Sequence, residues 1–156
     1  MNEIIIPNYK TLVVTNIVLD YNGTIAKDGL LKEEVKPLLE KLTKEYKVYV
    51  ITADTFGSVA TQLKDYNLSI KILNSDNHTL EKATFVKSLT AENTVAIGNG
   101  NNDAMMLQTS LIGIAILGDE GCSSQTLLKS DITCKSIQDA LELFLNTKRL
   151  IATLRS

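Results

Sequence analysis

Apolar residues fall in short runs separated by longer amphipathic stretches, and that alternation predicts a layered α/β chain. Runs at 12–14, 16–19, 47–51, 69–73, 94–97, 111–117 and 131–133 are short and rich in Val, Ile and Leu. Such runs suit strands buried on both faces of a parallel sheet. Between them, 32–46 places Val35, Leu38, Leu39 and Leu42 at i, i+3, i+4 and i+7, one face of a helix. Further helices are expected at 56–65, at 79–89 with Leu80, Thr84, Phe85 and Leu89 turned inward, at 102–109, at 123–129 and at 137–145. At the start, 3–6 and 12–14 flank Pro7-Asn8-Tyr9 and read as a strand pair. The last stretch, 148–156, is basic and apolar with no clear period.

Alternating strands and helices predict βαβ units and a Rossmann-like sheet flanked by helices. No repeat, linker or low-complexity tract interrupts the pattern, so one domain is expected: a strand pair within 3–14, a core over about 16–145 and a tail at 148–156. The segments at 25–51 and 53–81 are too short for a large insertion, which predicts a cap-less domain with only a small flap.

A net charge of −2 with a sequence pI near 5.4 gives no basic footprint for nucleic acid or an anionic membrane. No run reaches the roughly 18 apolar residues of a membrane span, and no leader-like segment opens the chain, so a cytoplasmic protein is expected. Cys122 and Cys134 are too few for a disulfide framework and lack metal-ligand spacing. An anion site in such a chain must be assembled locally from backbone N–H groups, a metal and one or two lysines.

In open parallel sheets, ligands bind beyond the carboxyl ends of the strands. The residues that follow three of the apolar runs are rich in oxygen donors: Asp20-Tyr21-Asn22-Gly23-Thr24, Thr52-Ala53-Asp54, and Gly98-Asn99-Gly100-Asn101-Asn102-Asp103. Together with Lys82 they resemble, in order, the four motifs of the haloacid-dehalogenase superfamily. The match resembles most the phosphorylation domain of P-type ATPases: Thr52-Ala53-Asp54-Thr55, Glu81-Lys82 with Phe85-Val86 and Leu89, 97–107, and Gly113-Ile114-Ala115. The resemblance spans about residues 16–134. The interval 25–51 leaves no room for the nucleotide-binding insertion of a pump.

The resemblance implies a Mg2+-dependent phosphohydrolase in which Asp20 forms an aspartyl phosphate. It assigns the cation to the Asp20 carboxylate, the Asn22 carbonyl, Asn99 and Asp103. Phosphate contacts fall to Thr52, Lys82 and Asn102, and to backbone N–H groups of Tyr21, Asn22 and Ala53 acting as an anion nest. The expected partner is a phosphorylated substrate, with no nucleic acid and no membrane; the apolar N-terminal strands and the 149–154 tail suggest a homo-oligomer.

Two positions depart from the family pattern, both by asparagine in place of aspartate. Asn22 stands where the superfamily's general acid–base is usual, and losing such help typically costs about 10²–10⁴ in rate. Asn99 stands where a charged metal ligand is usual. The alternative reading is therefore a catalytically weak binding or regulatory module that keeps the anion and metal pocket. Both asparagines precede glycine, a pair prone to deamidation that would restore aspartate. Residues with plainer expected roles are Asp54, divided between helix cap and site edge, His78, an exposed loop residue, and Met105 and Met106, core packing.

Overall fold

The computed structural model describes residues 2–54 and 57–156. A six-stranded parallel sheet forms its centre, with strands in the order β10-β9-β8-β3-β6-β7. These strands are β3 (Asn16–Asp20), β6 (Lys47–Thr52), β7 (Ser69–Ile72), β8 (Thr94–Gly98), β9 (Ile112–Ile116) and β10 (Ile132–Cys134). The chain builds outward from β3 to β6 and β7, then returns to lay β8, β9 and β10 on the other side. That reversal opens a crevice between the carboxyl ends of β3 and β8, the place where open α/β sheets bind ligands.

Successive strand residues face opposite sides, so the sheet feeds two cores. Ile17, Leu19, Val48, Val50, Val95, Ile97, Ile112 and Ile114 pack toward helices α1 (Lys36–Glu45) and α6 (Ile137–Leu145). Val18, Ile51, Ala96 and Ala115 pack toward α3 (His78–Ser88) and α4 (Ala104–Thr109). Helices α2 (Ser58–Leu63) and α5 (Ser124–Lys129) complete the layers. Two short pairs lie outside the main sheet: β1 (Asn2–Ile5) with β2 (Thr11–Val14), and the flap β4 (Ala26–Lys27) with β5 (Leu30–Leu31).

Three elements differ from the sequence reading. Helix α1 starts at Lys36 rather than 32, because Pro37 belongs in a helix's first turn, where its missing N–H costs nothing. Leu38, Leu39 and Leu42 are buried as its spacing predicts. The buried residues of α3 are Lys82, Ala83 and Val86, and Phe85 and Leu89 pack against the same core as expected, while Leu80 is 51% exposed and Thr84 is exposed. The helix is rotated to carry Lys82 inward, so ion pairing overrides part of its apolar pattern. The terminal stretch folds into α7 (Thr147–Leu154), whose Leu150 is buried, and Ser156 N–H donates to Pro7 O at 3.3 Å. Ile4, Ile6 and Leu150 thus share one core, which removes part of the apolar surface that suggested an oligomer. The expected start of α2 at Phe56, together with Thr55, lies outside the described residues.

Candidate active site

Asp20 is the last residue of β3, and strand geometry fixes its carboxylate at the crevice. It is 9% exposed, at the floor of a pocket of about 260 Å3 lined also by Asn22, Thr52, Ala53, Lys82, Asn99, Asn102 and Asp103. Eight of the nine residues expected at the site therefore line one cavity. Tyr21 does not: its N–H donates to Ile51 O at 3.2 Å as part of the β3–β6 ladder, and its ring is buried with the hydroxyl on Gly29 O. Sheet pairing takes the amide that the anion nest required. A larger groove of about 410 Å3, between α1, α6 and α7, holds none of the motif residues.

Lys82 is the centre of the site's electrostatics. Only 2% exposed, it places Nζ 2.9 Å from Asp20 Oδ1, 2.7 Å from Asp103 Oδ1 and 3.0 Å from Asn102 Oδ1. Burial works against its charge, but Asp20 and Asp103 hold its ammonium above the usual lysine range. A lysine at this depth is retained only when paired, since an unpaired buried charge is strongly disfavoured. For Asp20, burial and then the Asp103 charge push the carboxyl up to about 7, against the opposing pull of Lys82. Asp20 Oδ2 also accepts from the Thr24 hydroxyl at 3.2 Å, and that hydroxyl lies 3.5 Å from Asn99 Oδ1.

Asp103 joins the Asn99–Gly100 turn to Lys82. It is fully buried; Oδ2 accepts from the backbone N–H groups of Asn99 and Gly100, both at 3.0 Å, and Oδ1 from Lys82. The carboxylate thus ties the turn to the lysine, and a Cβ on Gly98 would collide with it. The turn is held further by Thr126 Oγ1 donating to Gly100 O at 2.6 Å and Ser123 N–H to Asn99 O at 2.8 Å. Asn102 lies within the 3-10 turn Asn101–Asp103 and turns its amide oxygen to Lys82, rather than simply capping α4.

Thr52 is buried, and its Oγ1 accepts from Asp54 N–H at 3.1 Å while keeping its own proton to donate. Asp54 takes the capping half of its expected role: Oδ2 accepts from Val59 N–H at 3.0 Å and Ser58 Oγ at 3.1 Å. Deamidation at the two Asn-Gly pairs needs attack by the following glycine nitrogen. Gly23 N–H is bonded to Ala26 O and Gly100 N–H to Asp103 Oδ2, each at 3.0 Å, so both nitrogens are held away from that reaction.

Several site residues carried no motif signal. Thr126 acts through a single hydroxyl bond to Gly100 O, and Glu120 enters from the turn before α5. His78, expected as an exposed loop residue, is half-buried at the start of α3 and lines the pocket. Its spacing of i, i+4 from Lys82 puts both on one helical face, the signal that could have found it. Met105 is 41% exposed whereas Met106 is buried, so only the latter is core. Burial, then the Asp103 charge, raises the Cys122 thiol, and burial, then the Asp139 charge, pushes Cys134 up to about 11, which favours the protonated thiol at both.

The loop before α3, which sets the height of Lys82, is held by Glu81. Its carboxylate accepts from Ser75 N–H at 2.8 Å and from Asn74 N–H at 2.9 Å. Those bonds, Ser75 first, hold its carboxyl down at about 2 against a usual 4.5. A depressed pKa means stability that is complete above pH 4.5 and is lost as pH falls through about 2. Glu81→Gln should therefore be less stable than the parent above pH 4.5, with the two denaturation curves converging toward pH 2. A constant gap across that range would contradict it.

The donor set suits a hard cation. Asp20 Oδ2, Thr24 Oγ1 and Asn99 Oδ1 converge through the contacts given above, and all are oxygens. No three Asp, Glu, His or Cys side chains cluster as ligands among the described residues, so amide and backbone oxygens must contribute.

No protein-family model matches the chain. An uncharacterized protein of Methanocaldococcus jannaschii is 56% identical over 61 residues, which is 39% of this chain and 66% of that protein. A second from the same organism is 51% identical over 39 residues, 25% of this chain and 89% of that protein. Among solved structures, a 3-deoxy-D-manno-octulosonate 8-phosphate phosphatase from Moraxella catarrhalis, in complex with magnesium, phosphate and KDO, superposes with a TM-score of 0.71 at 19% identity. The match covers 91% of this chain and 94% of that one. The cobalt-bound deoxy-D-mannose-octulosonate 8-phosphate phosphatase of Haemophilus influenzae gives 0.72 at 12%, covering 92% and 94%. A zinc-transporting PIB-type ATPase gives 0.63 at 19%, over 78% of this chain and 20% of that one. These likenesses show the fold: the chain is similar in fold to two octulosonate 8-phosphate phosphatases and, over a smaller share, to a P-type ATPase.

Proposed function

We propose that the chain is a Mg2+-dependent phosphohydrolase that works through an aspartyl phosphate on Asp20. The observation that carries this reading is the buried Lys82 held between Asp20 and Asp103 beneath a small polar pocket. That arrangement positions a carboxylate nucleophile and a fixed positive charge at a strand end, which phosphoryl transfer requires. The magnesium-bound and cobalt-bound phosphatases of the same fold support it.

The residues take the following roles. Asp20 attacks phosphorus, so that hydrolysis is divided into two easier steps. Lys82 offsets the charge gathered by the phosphoryl oxygens, Thr52 donates its hydroxyl to one of them, and the Ala53 and Asn22 backbones border the remainder. Asp20, the Asn22 carbonyl and Asn99 would hold the cation, which supplies charge neutralisation when bound. Asp103 acts behind them, holding Lys82 and the Asn99–Gly100 amides. Among the described residues the pocket's flap is the short β4–β5 pair, which suits a large phosphorylated substrate.

Asn22 is exposed at the pocket mouth and has no proton to give to a leaving oxygen. Rates should therefore rise steeply as leaving-group pKa falls, with acyl and aryl phosphates preferred to alkyl ones. Asn22→Asp should raise alkyl-phosphate turnover most, by about 10²-fold or more. A flat leaving-group dependence in the parent protein would show that another group supplies the proton.

The two asparagines favour the second reading, a weak binding or regulatory module with the same pocket. Turnover of an aryl phosphate with and without Mg2+ separates the two. Metal-dependent turnover supports the enzyme; phosphate binding without turnover supports the module.

A further inference from the structure

The proposed site is short of negative charge. Asn22 and Asn99 are neutral, and the two motif carboxylates of the pocket, Asp20 and Asp103, share the Lys82 ammonium, so among the described residues the motifs offer a divalent cation little net negative charge. One acidic side chain outside every motif lines the same pocket: Glu120, in the turn between β9 and α5.

That turn is exposed but fixed on both sides of Glu120. Before it, Asp119 Oδ2 accepts from Lys32 Nζ at 2.7 Å, joining the turn to the chain just after the flap. After it, Gly121 O accepts from Asn99 Nδ2 at 3.0 Å, joining the turn to the candidate ligand itself. Between these two anchors the Glu120 carboxylate folds over Gly23. A Cβ on Gly23 would collide with Glu120 Oε2 and would lie 3.1 Å from Asn99 Nδ2. Gly23 has φ +80°, so glycine satisfies the backbone there and leaves the space that the carboxylate occupies.

We propose that Glu120 is a charge partner of the cation, a positioning carboxylate at the rim that offsets the carboxylates absent at 22 and 99. The inference rests on the metal-dependent reading given above. Mg2+ keeps several of its waters, so a carboxylate beside the ligand Asn99 acts on it through them. The lack of a three-carboxylate cluster among the described residues fits an outer rather than a direct position. Outer partners of this kind typically change metal affinity by about 10–100-fold.

The test is Mg2+ titration calorimetry on the metal-free protein without substrate. Glu120→Gln should weaken Mg2+ binding by about 10-fold or more, and adding Asn99→Asp should recover it. Asp28→Asn, which removes an exposed carboxylate at the flap tip outside the pocket, should leave it unchanged. Thermal unfolding of the metal-free variants checks that the fold is retained. Equal affinity of Glu120→Gln and the parent overturns the proposal, as does equal weakening by Asp28→Asn, which would reduce Glu120 to general surface field. Parent protein that binds no Mg2+ would instead overturn the metal-dependent reading itself.

Discussion

Asp20→Asn should abolish phosphatase activity and, in metal-free protein above pH 7, raise stability. The first effect follows from removing the carboxylate nucleophile placed under the pocket. The second follows from the proton balance. Burial and the neighbouring Asp103 raise the Asp20 carboxyl from 3.8 to about 7, so the folded chain holds that proton more tightly than the unfolded one. The associated stability is complete below pH 3.8 and is lost as pH rises through about 7. An asparagine never incurs that loss and can still accept from Lys82. Thermal denaturation in EDTA should therefore show the variant gaining on the parent between pH 4 and pH 8. Parallel curves would contradict the electrostatic account, and residual activity in the purified variant would contradict the mechanism.

Lys82→Met should carry the largest stability cost of any single change at the site. Methionine fills a similar volume but leaves Asp20 and Asp103 facing each other without a cation between them. Removing one member of a buried pair typically destabilises by about 3–5 kcal/mol. The cost should shrink at acid pH, where the two carboxylates can take up protons. It should also shrink in Lys82→Met combined with Asp20→Asn, because the residues are in contact and their effects cannot add independently. Urea denaturation of the single and double variants at two pH values measures this coupling. Additive effects would mean that the lysine's charge is not what the two carboxylates require.

These effects explain why parts of the molecule were legible from the sequence and parts were not. The strands were readable because burial on both faces leaves runs such as Ile17–Val18–Leu19 with almost no polar residue. Helix α6 was readable to its ends because Ile137, Ala140, Leu141 and Phe144 follow its buried face. Helix α3 was legible only in part: Phe85 and Leu89 pack inward, but Leu80 and Thr84 do not, because Lys82 shares the inward face and an apolar pattern cannot register an ion pair with residues 62 and 21 positions away. The motif residues were found through their order along the chain. Their division of labour was not, since it depends on which oxygens the backbone has already engaged. Tyr21 lost its expected amide to the sheet, and Asp103 also holds the Asn99 and Gly100 amides and Lys82. Glu120 and His78 belong to no motif, and only the three-dimensional turn and helix face bring them to the pocket.

The central claim is a covalent phosphoryl group on Asp20, and chemical trapping tests it most directly. The protein is incubated with Mg2+ and an acyl phosphate, quenched in acid, reduced with borohydride and mapped by peptide mass spectrometry. An aspartyl phosphate is reduced at the phosphorylated position, so the account predicts homoserine in place of Asp20, dependent on Mg2+ and absent from Asp20→Asn. Mg2+-dependent hydrolysis with Asp20 unmodified, or modification at another residue, would contradict it.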